Sequence, residues 1–129
     1  MISADIAAYL TSQGLGTLGV DYFDVALPAN IDNAVMVRDY PGSPPFFDHD
    51  QPTPALIYPR VQIVARNLDV VAAYTASQAA FSAIHGIKDI VIDGTTYLRA
   101  EALQAPFWLQ QDSSDRHYVV FNAHLIVAG

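Results

Sequence analysis

The spacing of apolar residues predicts two helices. Over residues 2–10 the apolar positions recur on one side of a helix, and Gly14 is suited to end it, because glycine readily adopts a left-handed backbone. A longer helix is predicted over 70–86, with Asn67 or Asp69 as the residue whose side chain caps its first turn. Most of the remaining chain has the pattern of strands.

Alternation of apolar and polar residues predicts seven strands. The clearest covers 56–66 and places Arg60 and Arg66 on the face opposite its apolar side chains. Asp93-Gly94 indicates a two-residue hairpin, because both residues tolerate positive φ. The predicted strands cover 22–27, 34–39, 56–66, 88–92, 95–103, 107–111 and 116–127.

The order of these elements predicts the fold class. The order is α-β-β-loop-β-α-β-β-β-β, which is typical of an α+β domain with a mostly antiparallel sheet and two helices packed on one face. We expect one such domain over residues 1–129. The last strand, 116–127, is apolar on both faces, so we expect it to be central or covered on both sides.

Between the second and third predicted strands the composition changes. Five of the eight prolines lie in the interval 40–55, and proline lacks a backbone donor and restricts φ. The interval therefore predicts a Pro-rich projecting loop, in which Phe46, Phe47 and Asp48 dock on a partner. A loop folded back over the protein's own core is the alternative.

The second predicted helix divides into three faces. The stripe suited to packing on the sheet consists of Val70, Ala73, Tyr74, Ser77, Phe81 and Ile84. A polar strip without charge consists of Thr75, Gln78, Ser82 and His85. The ridge of small side chains between them consists of Ala72, Ala76, Ala79 and Ala83. Surface helices usually expose Lys and Glu, so we expect a second subunit to cover the ridge. A helix enclosed within its own domain is the alternative.

Composition narrows the possible functions. Apolar residues make up 52% of the chain and charged residues 15%, which leaves few ionised groups at the surface. Thirteen acidic and six basic residues give a net charge of −7, and the absence of cysteine excludes disulfides, thiol nucleophiles and thiolate metal sites. The N-terminal residues lack the pattern of a signal peptide, and the uncharged run 70–87 indicates a buried helix rather than a membrane span. We therefore expect no membrane partner.

The spacing of reactive residues does not predict an active site. The histidines form no H-x-H or H-x₃-H pair, and the chain lacks a G-x-S-x-G elbow and a phosphate-binding glycine motif. We therefore predict no catalytic residue, metal or cofactor, and a protein that is not an enzyme. The basic residues are too few and scattered to hold a nucleic acid. Arg38, Arg60, Arg66 and Arg99 are assigned to ion pairs within or between subunits.

The segment from Pro59 to Gly86 carries a family resemblance. Its strand Pro59–Arg66 leads through Asn67-Leu68-Asp69 into an Ala-rich helix. Together with the N-terminal helix, the Pro-rich interval and the hairpins, this layout resembles phage tail terminator proteins and is similar to a family of phage minor capsid proteins. The resemblance provides no catalytic residues.

The resemblance implies a structural protein of the virion, assembled in the host cytoplasm. It would form a ring, usually a hexamer, at the head-proximal end of the tail. The ring would bind the tail tube protein, stop polymerisation of the tube and offer a surface to the head connector or neck protein. DNA would pass through the ring without specific binding.

Two other functions stay open at this point. One is another neck or head-closure component of the same particle. The other is a small hydrolase or ligand-binding domain that uses Asp48, His49 and Asp50. For the ring, the predicted subunit or partner interface consists of Ala72, Ala76, Ala79, Ala83, Phe46, Phe47, Asp48, Arg60 and Arg66.

Overall fold

The computed structural model describes residues 2–47 and 54–129, in which two helices lie on one face of a seven-stranded sheet. This confirms the predicted α+β class and the order of its elements. The elements are α1 (Ile2–Ser12), β1 (Tyr22–Asp24), β2 (Ala34–Phe47), β3 (Pro54–Asn67), α2 (Val70–Ile84), β4 (Lys88–Ile92), β5 (Thr95–Ala102), β6 (Phe107–Gln111) and β7 (His117–Ala128).

The sheet has the strand order β1-β2-β3-β7-β5-β4, and β6 pairs with β7 beside this path. The β1–β2 pair is parallel, and the other named pairs are antiparallel. β3 follows one edge of β7 over almost its whole length, while β5 and β6 pair with successive parts of the other edge. β7 is therefore a central strand, as its two apolar faces predict. β5 and β6 lie end to end beside it.

The Pro-rich interval forms paired strands where the structure describes it. β2 continues to Phe47 and β3 begins at Pro54, so the prediction of a loop over 40–55 is wrong for 40–47 and 54–55. Its tip, 48–53, lies outside the described residues. Shifts in the β2–β3 register coincide with the prolines of β2, and β1 pairs only with the first part of β2. Beyond that part β2 is an edge strand, where proline costs few hydrogen bonds.

The main core lies between the helices and the sheet. Inward residues of α1 and α2 meet every second residue of β2, β3 and β7, as the period of two along a strand requires. Phe81 of α2 packs edge-on against Phe121 of β7, with ring centroids 5.7 Å apart. On the opposite sheet face, Met36, Val64 and Val120 form a smaller cluster that Leu27 helps to cover. One sheet face is thus covered by helices, and a loop covers part of the other.

The end of β1 and the lengths of the helices can also be compared with the sequence-based expectations. β1 ends at Asp24 rather than at residue 27, because Val25 has a φ of 74°, outside the range of strands. Of the two helices in the described ranges, neither combines the length and the hydropathy needed to cross a bilayer.

Candidate subunit interface

Asp69 determines where α2 begins. Its carboxylate accepts a hydrogen bond from the backbone N–H of Val71 at 3.1 Å, and its own N–H donates to the Asn67 side chain at 2.9 Å. Asp69 is therefore the N-cap, and Asn67 supports it. From this start the helix buries Ala73, Ser77, Ala80 and Ile84 against the sheet.

The outer face of α2 carries no charged side chain. The strip predicted to be polar is exposed in full: Thr75, Gln78, Ser82 and His85. Val71 lies beside it and is 67% exposed. Tyr74 was predicted to pack on the sheet, but it is 39% exposed, and Ala80 is buried instead. The reason is that Tyr74 lies on the flank of α2 nearest β6, where its hydroxyl has a partner.

β6 extends the uncharged surface of α2, and each of its five residues is exposed. The backbone N–H of Trp108 donates to the Tyr74 hydroxyl at 3.0 Å, and the Trp108 indole donates to His117 Nδ1 at 3.1 Å. The three large apolar residues of β6 are 38–47% exposed. We call the joined patch the α2–β6 surface; it consists of Val71, Tyr74, Trp108 and Leu109. Phe107 is in register with Val120 and therefore lies on the opposite face of the sheet.

The residue pattern predicts β6 as a strand but does not place it in an interface. The available signal was a run of three large apolar residues, Phe107-Trp108-Leu109, in a short strand after a proline. Such a run in an edge strand cannot be buried on both faces, so part of it must meet solvent or a partner. Its connection to α2 depends on the Tyr74 contact, which is distant in sequence.

The alanine ridge lies on the other flank of α2. Its four members, Ala72, Ala76, Ala79 and Ala83, are all half-buried. The Tyr9 hydroxyl of α1 donates to the carbonyl oxygen of Ala83 at 3.3 Å. Ala76 and Ala79 line a cleft together with Leu15 and Tyr22. The ridge is thus partly covered by its own protomer, and its role in an interface stays a prediction.

The predicted arm is described only in part. The backbone of Phe46 and Phe47 forms the end of β2, and Asp48 lies outside the described residues. Phe46 and Phe47 therefore lie at the end of the paired strands β2 and β3. The contact of the predicted arm with a partner stays a prediction.

Arg66 lies inside the protomer. Its residue is 4% exposed, and its guanidinium donates to the carbonyl oxygens of Pro28 and Ile31. These bonds hold the loop that covers the second sheet face. Among the residues that the structure describes, the prediction that Arg66 forms an ion pair is therefore wrong. Two backbone carbonyl oxygens bind its guanidinium where a carboxylate was expected.

The other strand arginines differ from one another. The Arg38 guanidinium donates to the side-chain oxygen of Gln62, with an Nε–Oε1 distance of 2.7 Å. Arg60 is half-buried, and its Nε has no hydrogen-bond partner among the described residues. Arg99 forms an ion pair with Glu101 at 3.4 Å. Within the described ranges, the predicted ion pairing is thus confirmed for Arg99 alone among these three.

Shifted pKa values occur at structural positions. Burial, with a smaller contribution from the Asp21 charge, raises the pKa of Tyr22 to about 12. Within residues 2–47 and 54–129, no three His, Asp or Glu side chains converge in a way that could hold a metal ion.

The fold has a counterpart among solved structures. A chain in the structure of the virion of a native gene transfer agent particle matches with a TM-score of 0.65 and 17% identity, and the match covers 99% of this chain and 98% of that chain. At this identity the match concerns the fold alone. No curated protein matches the chain.

The family is shown by a match to the sequence model of the bacteriophage tail terminator proteins. The match covers residues 9–128. It therefore includes the α2–β6 surface, the alanine ridge and all seven strands. Since almost the whole chain is matched, the protein belongs to the bacteriophage tail terminator family and is a structural protein of a phage.

Proposed function

We propose that this protein forms a closed, hexameric ring at the head-proximal end of the phage tail. The ring ends polymerisation of the tail tube and offers a docking surface to the head, while DNA passes through it without specific binding. The function requires assembly and no catalysis. Membership of the tail terminator family supports the position in the tail. The α2–β6 surface is the observation that supports assembly.

The composition of the α2–β6 surface favours contact with protein. It joins Trp108 and Leu109 of β6 to Tyr74 and Val71 of α2, and none of its members is charged. Tyr and Trp are enriched among residues that contribute most to binding. Covering this surface with a partner removes apolar area from water, which is favourable. Burying a charged helix face would require the desolvation of its ions, and this surface avoids that penalty.

Closure of a ring requires two different patches on each protomer. A head-to-tail interface joins unlike surfaces, and it closes when the rotation between copies divides a full turn. The α2–β6 surface and the alanine ridge lie on opposite flanks of α2, which is the arrangement such an interface uses. We propose the β2–β3 hairpin, with Phe46, Phe47 and Asp48, as the contact with the tube or the next subunit.

Light scattering on the purified protein tests the ring. We expect a mass of about six protomers of 14.0 kDa each for the wild type. Trp108→Arg and Ala79→Arg should disrupt assembly because each introduces a charge that must be desolvated. Gln13→Arg is the matched control, since Gln13 is exposed at the end of α1. Circular dichroism must remain native in all three variants.

A second measurement tests the position in the particle. Added to polymerising tail tube protein, the wild type should shorten the tubes and remain at one end in electron micrographs, whereas Trp108→Arg should not. A ring that binds the head connector and leaves tube length unchanged would instead indicate another neck component. A wild type that remains monomeric at all concentrations and in the presence of tubes would refute the ring.

A further inference from the structure

The sheet face away from the helices collects basic residues. Arg38 pairs in register with Gln62, which pairs in turn with Asn122 of β7, and Arg60 lies in the adjacent row opposite His124. The sequence neighbours Val37 and Val61 belong to the core under the helices, so the alternation along each strand places both guanidinium groups on the opposite face. We call the group formed by Arg38, Arg60, Gln62, Asn122 and His124 the arginine face.

The arginine face is electrostatically incomplete. Arg38 is bound by an amide, and neither Arg38 nor Arg60 forms an ion pair with a described residue. They are diagonal neighbours on adjacent strands, so their backbones are about 7–8 Å apart and their like charges repel. Glu101 of β5 lies in the same row beyond His124, but its carboxylate pairs with Arg99.

Two buried atoms of the arginine face also lack hydrogen-bond partners among the residues that the structure describes. Asn122 is 9% exposed and its Oδ1 accepts no hydrogen bond from a described residue. The Arg60 Nε is buried and likewise unpartnered there. Leaving such groups without partners is costly. The Arg60 N–H needs an acceptor and the Asn122 oxygen needs a donor, so only Arg60 would be stabilised by a ligand that brings carboxylate oxygens.

The protomer presents matching negative charge at the edge of β1. Asp21 and Asp24 are exposed, and neither forms an ion pair among the described residues. Exposed apolar residues flank them: Leu18 at 47%, Val20 at 62% and Val25 at 56%. We call residues 17–25 the acidic lobe; it combines carboxylates and apolar area, as interfaces do.

The acidic lobe is suited to side-chain contact rather than to strand addition. The backbone N–H of Tyr22 donates to Thr17 at 3.1 Å, and its carbonyl accepts from Gly19 at 2.9 Å. Its own segment thus occupies the backbone groups at the outer edge of β1. Asp24 is in register with Val37, whose side chain lies under the helices, so it does not share a face with Arg38.

We propose that the arginine face of one copy binds the acidic lobe of the next copy. This inference rests on the proposed ring. Among the described residues, neither these two guanidinium groups nor these two carboxylates form an ion pair. The planar guanidinium binds a carboxylate through paired hydrogen bonds. The two surfaces differ, as a head-to-tail contact requires. DNA is a poorer match, because the chain has a net charge of −7 and phosphate contacts need many clustered cations.

A charge swap tests the proposal. R38E/R60E and D21R/D24R should each raise the protein concentration at half-assembly at least about tenfold, as expected for the loss of close charge pairs. The four substitutions combined should restore assembly to within about threefold of the wild type. D89R/D93R is the matched control: it makes the same charge change as D21R/D24R, at Asp89 of β4 and at Asp93 of the turn that follows, both exposed, and should leave assembly unchanged. If R38E/R60E does not fold by circular dichroism, R38Q/R60Q replaces it, with weaker assembly expected.

Three results would overturn the proposal while the ring itself stands. The first is normal assembly of R38E/R60E or R38Q/R60Q. The second is failure of the combined variant to regain assembly although it folds. The third is binding of a duplex of about 30 base pairs by the wild type but not by R38Q/R60Q, with the salt dependence of phosphate contacts, which would assign the face to DNA. Failure of the proposed function differs from all three, because the wild type would then not assemble.

Discussion

The Tyr97 hydroxyl donates a 2.6 Å hydrogen bond to the Asp5 carboxylate, and the two residues are 92 positions apart. Tyr97 lies on β5 and is fully buried, while Asp5 in the first turn of α1 is 6% exposed. The bond therefore links the N-terminal helix to the second half of the sheet inside the core. Burial, the hydrogen bond and the charge of Asp5 all raise the pKa of Tyr97.

Tyr97→Phe is expected to destabilise the protein by about 1.5–3 kcal/mol, because it leaves a buried carboxylate without its donor. The free energy of unfolding, from urea denaturation at pH 7, is the measurement. Tyr40→Phe is the control, since Tyr40 is 40% exposed, and should change stability by less than about 0.5 kcal/mol. Equal stability of Tyr97→Phe and the wild type would show that the bond contributes nothing.

Stability is expected to fall at alkaline pH. The pKa of Tyr22 is raised from 10.0 to about 12, so the folded state keeps the phenol protonated where the unfolded state loses its proton. The contribution of the protonated Tyr22 phenol to the free energy of unfolding is complete below pH 10 and is lost as the pH rises towards 12. Tyr22→Phe should reduce the slope of unfolding free energy against pH over this range. An unchanged slope would contradict the assignment.

The turn between β6 and β7 should affect stability in acid. Desolvation opposes ionisation of Asp112, but hydrogen bonds from the Arg116 backbone and guanidinium, the Tyr118 hydroxyl and the Ser114 N–H prevail and lower its pKa from 3.8 to about 2. This stabilisation is complete above pH 4 and is lost as the pH falls towards 2. Asp112→Asn should flatten the stability profile there. Asp115→Asn, in the same turn and exposed, should leave the profile unchanged.

Gly42→Ala is expected to weaken the β2–β3 hairpin. A Cβ at Gly42 would overlap the carbonyl oxygen of Tyr58 and lie 3.1 Å from the Cα of Pro59, both of which are backbone atoms. Relief requires the strands to separate, and we expect a loss of about 1–3 kcal/mol in unfolding free energy. Asp39→Ala, at an exposed position on the same strand, serves as the control. Similar stabilities of the two variants would show that the hairpin adapts at little cost.

Local pattern was sufficient for most of the secondary structure. The uncharged strip of α2 is exposed as its helical spacing predicts, and Asp93 and Gly94 adopt φ values of 47° and 78°, as their hairpin motif requires. These features follow from side-chain periodicity and from backbone preferences of single residues. Both act over a few residues and can be read along the chain.

The Pro-rich interval shows the limit of such local inference. The cost of a proline in a strand depends on whether a neighbouring strand needs its N–H. That neighbour is β1, which pairs with β2 only at residues 35–37. The residues around Pro41 and Pro44 do not show how far β1 extends along β2. The local composition therefore could not predict that this part of the chain forms strands.

The candidate surfaces depend most on the tertiary arrangement. The link between Tyr74 and Trp108 spans 34 positions, and the arginine face combines residues of β2, β3 and β7. The residue types are evident in the printed sequence, but their adjacency arises only when distant strands pair in one register. Long-range pairing sets which charges remain without partners, and local periodicity contains no information about it.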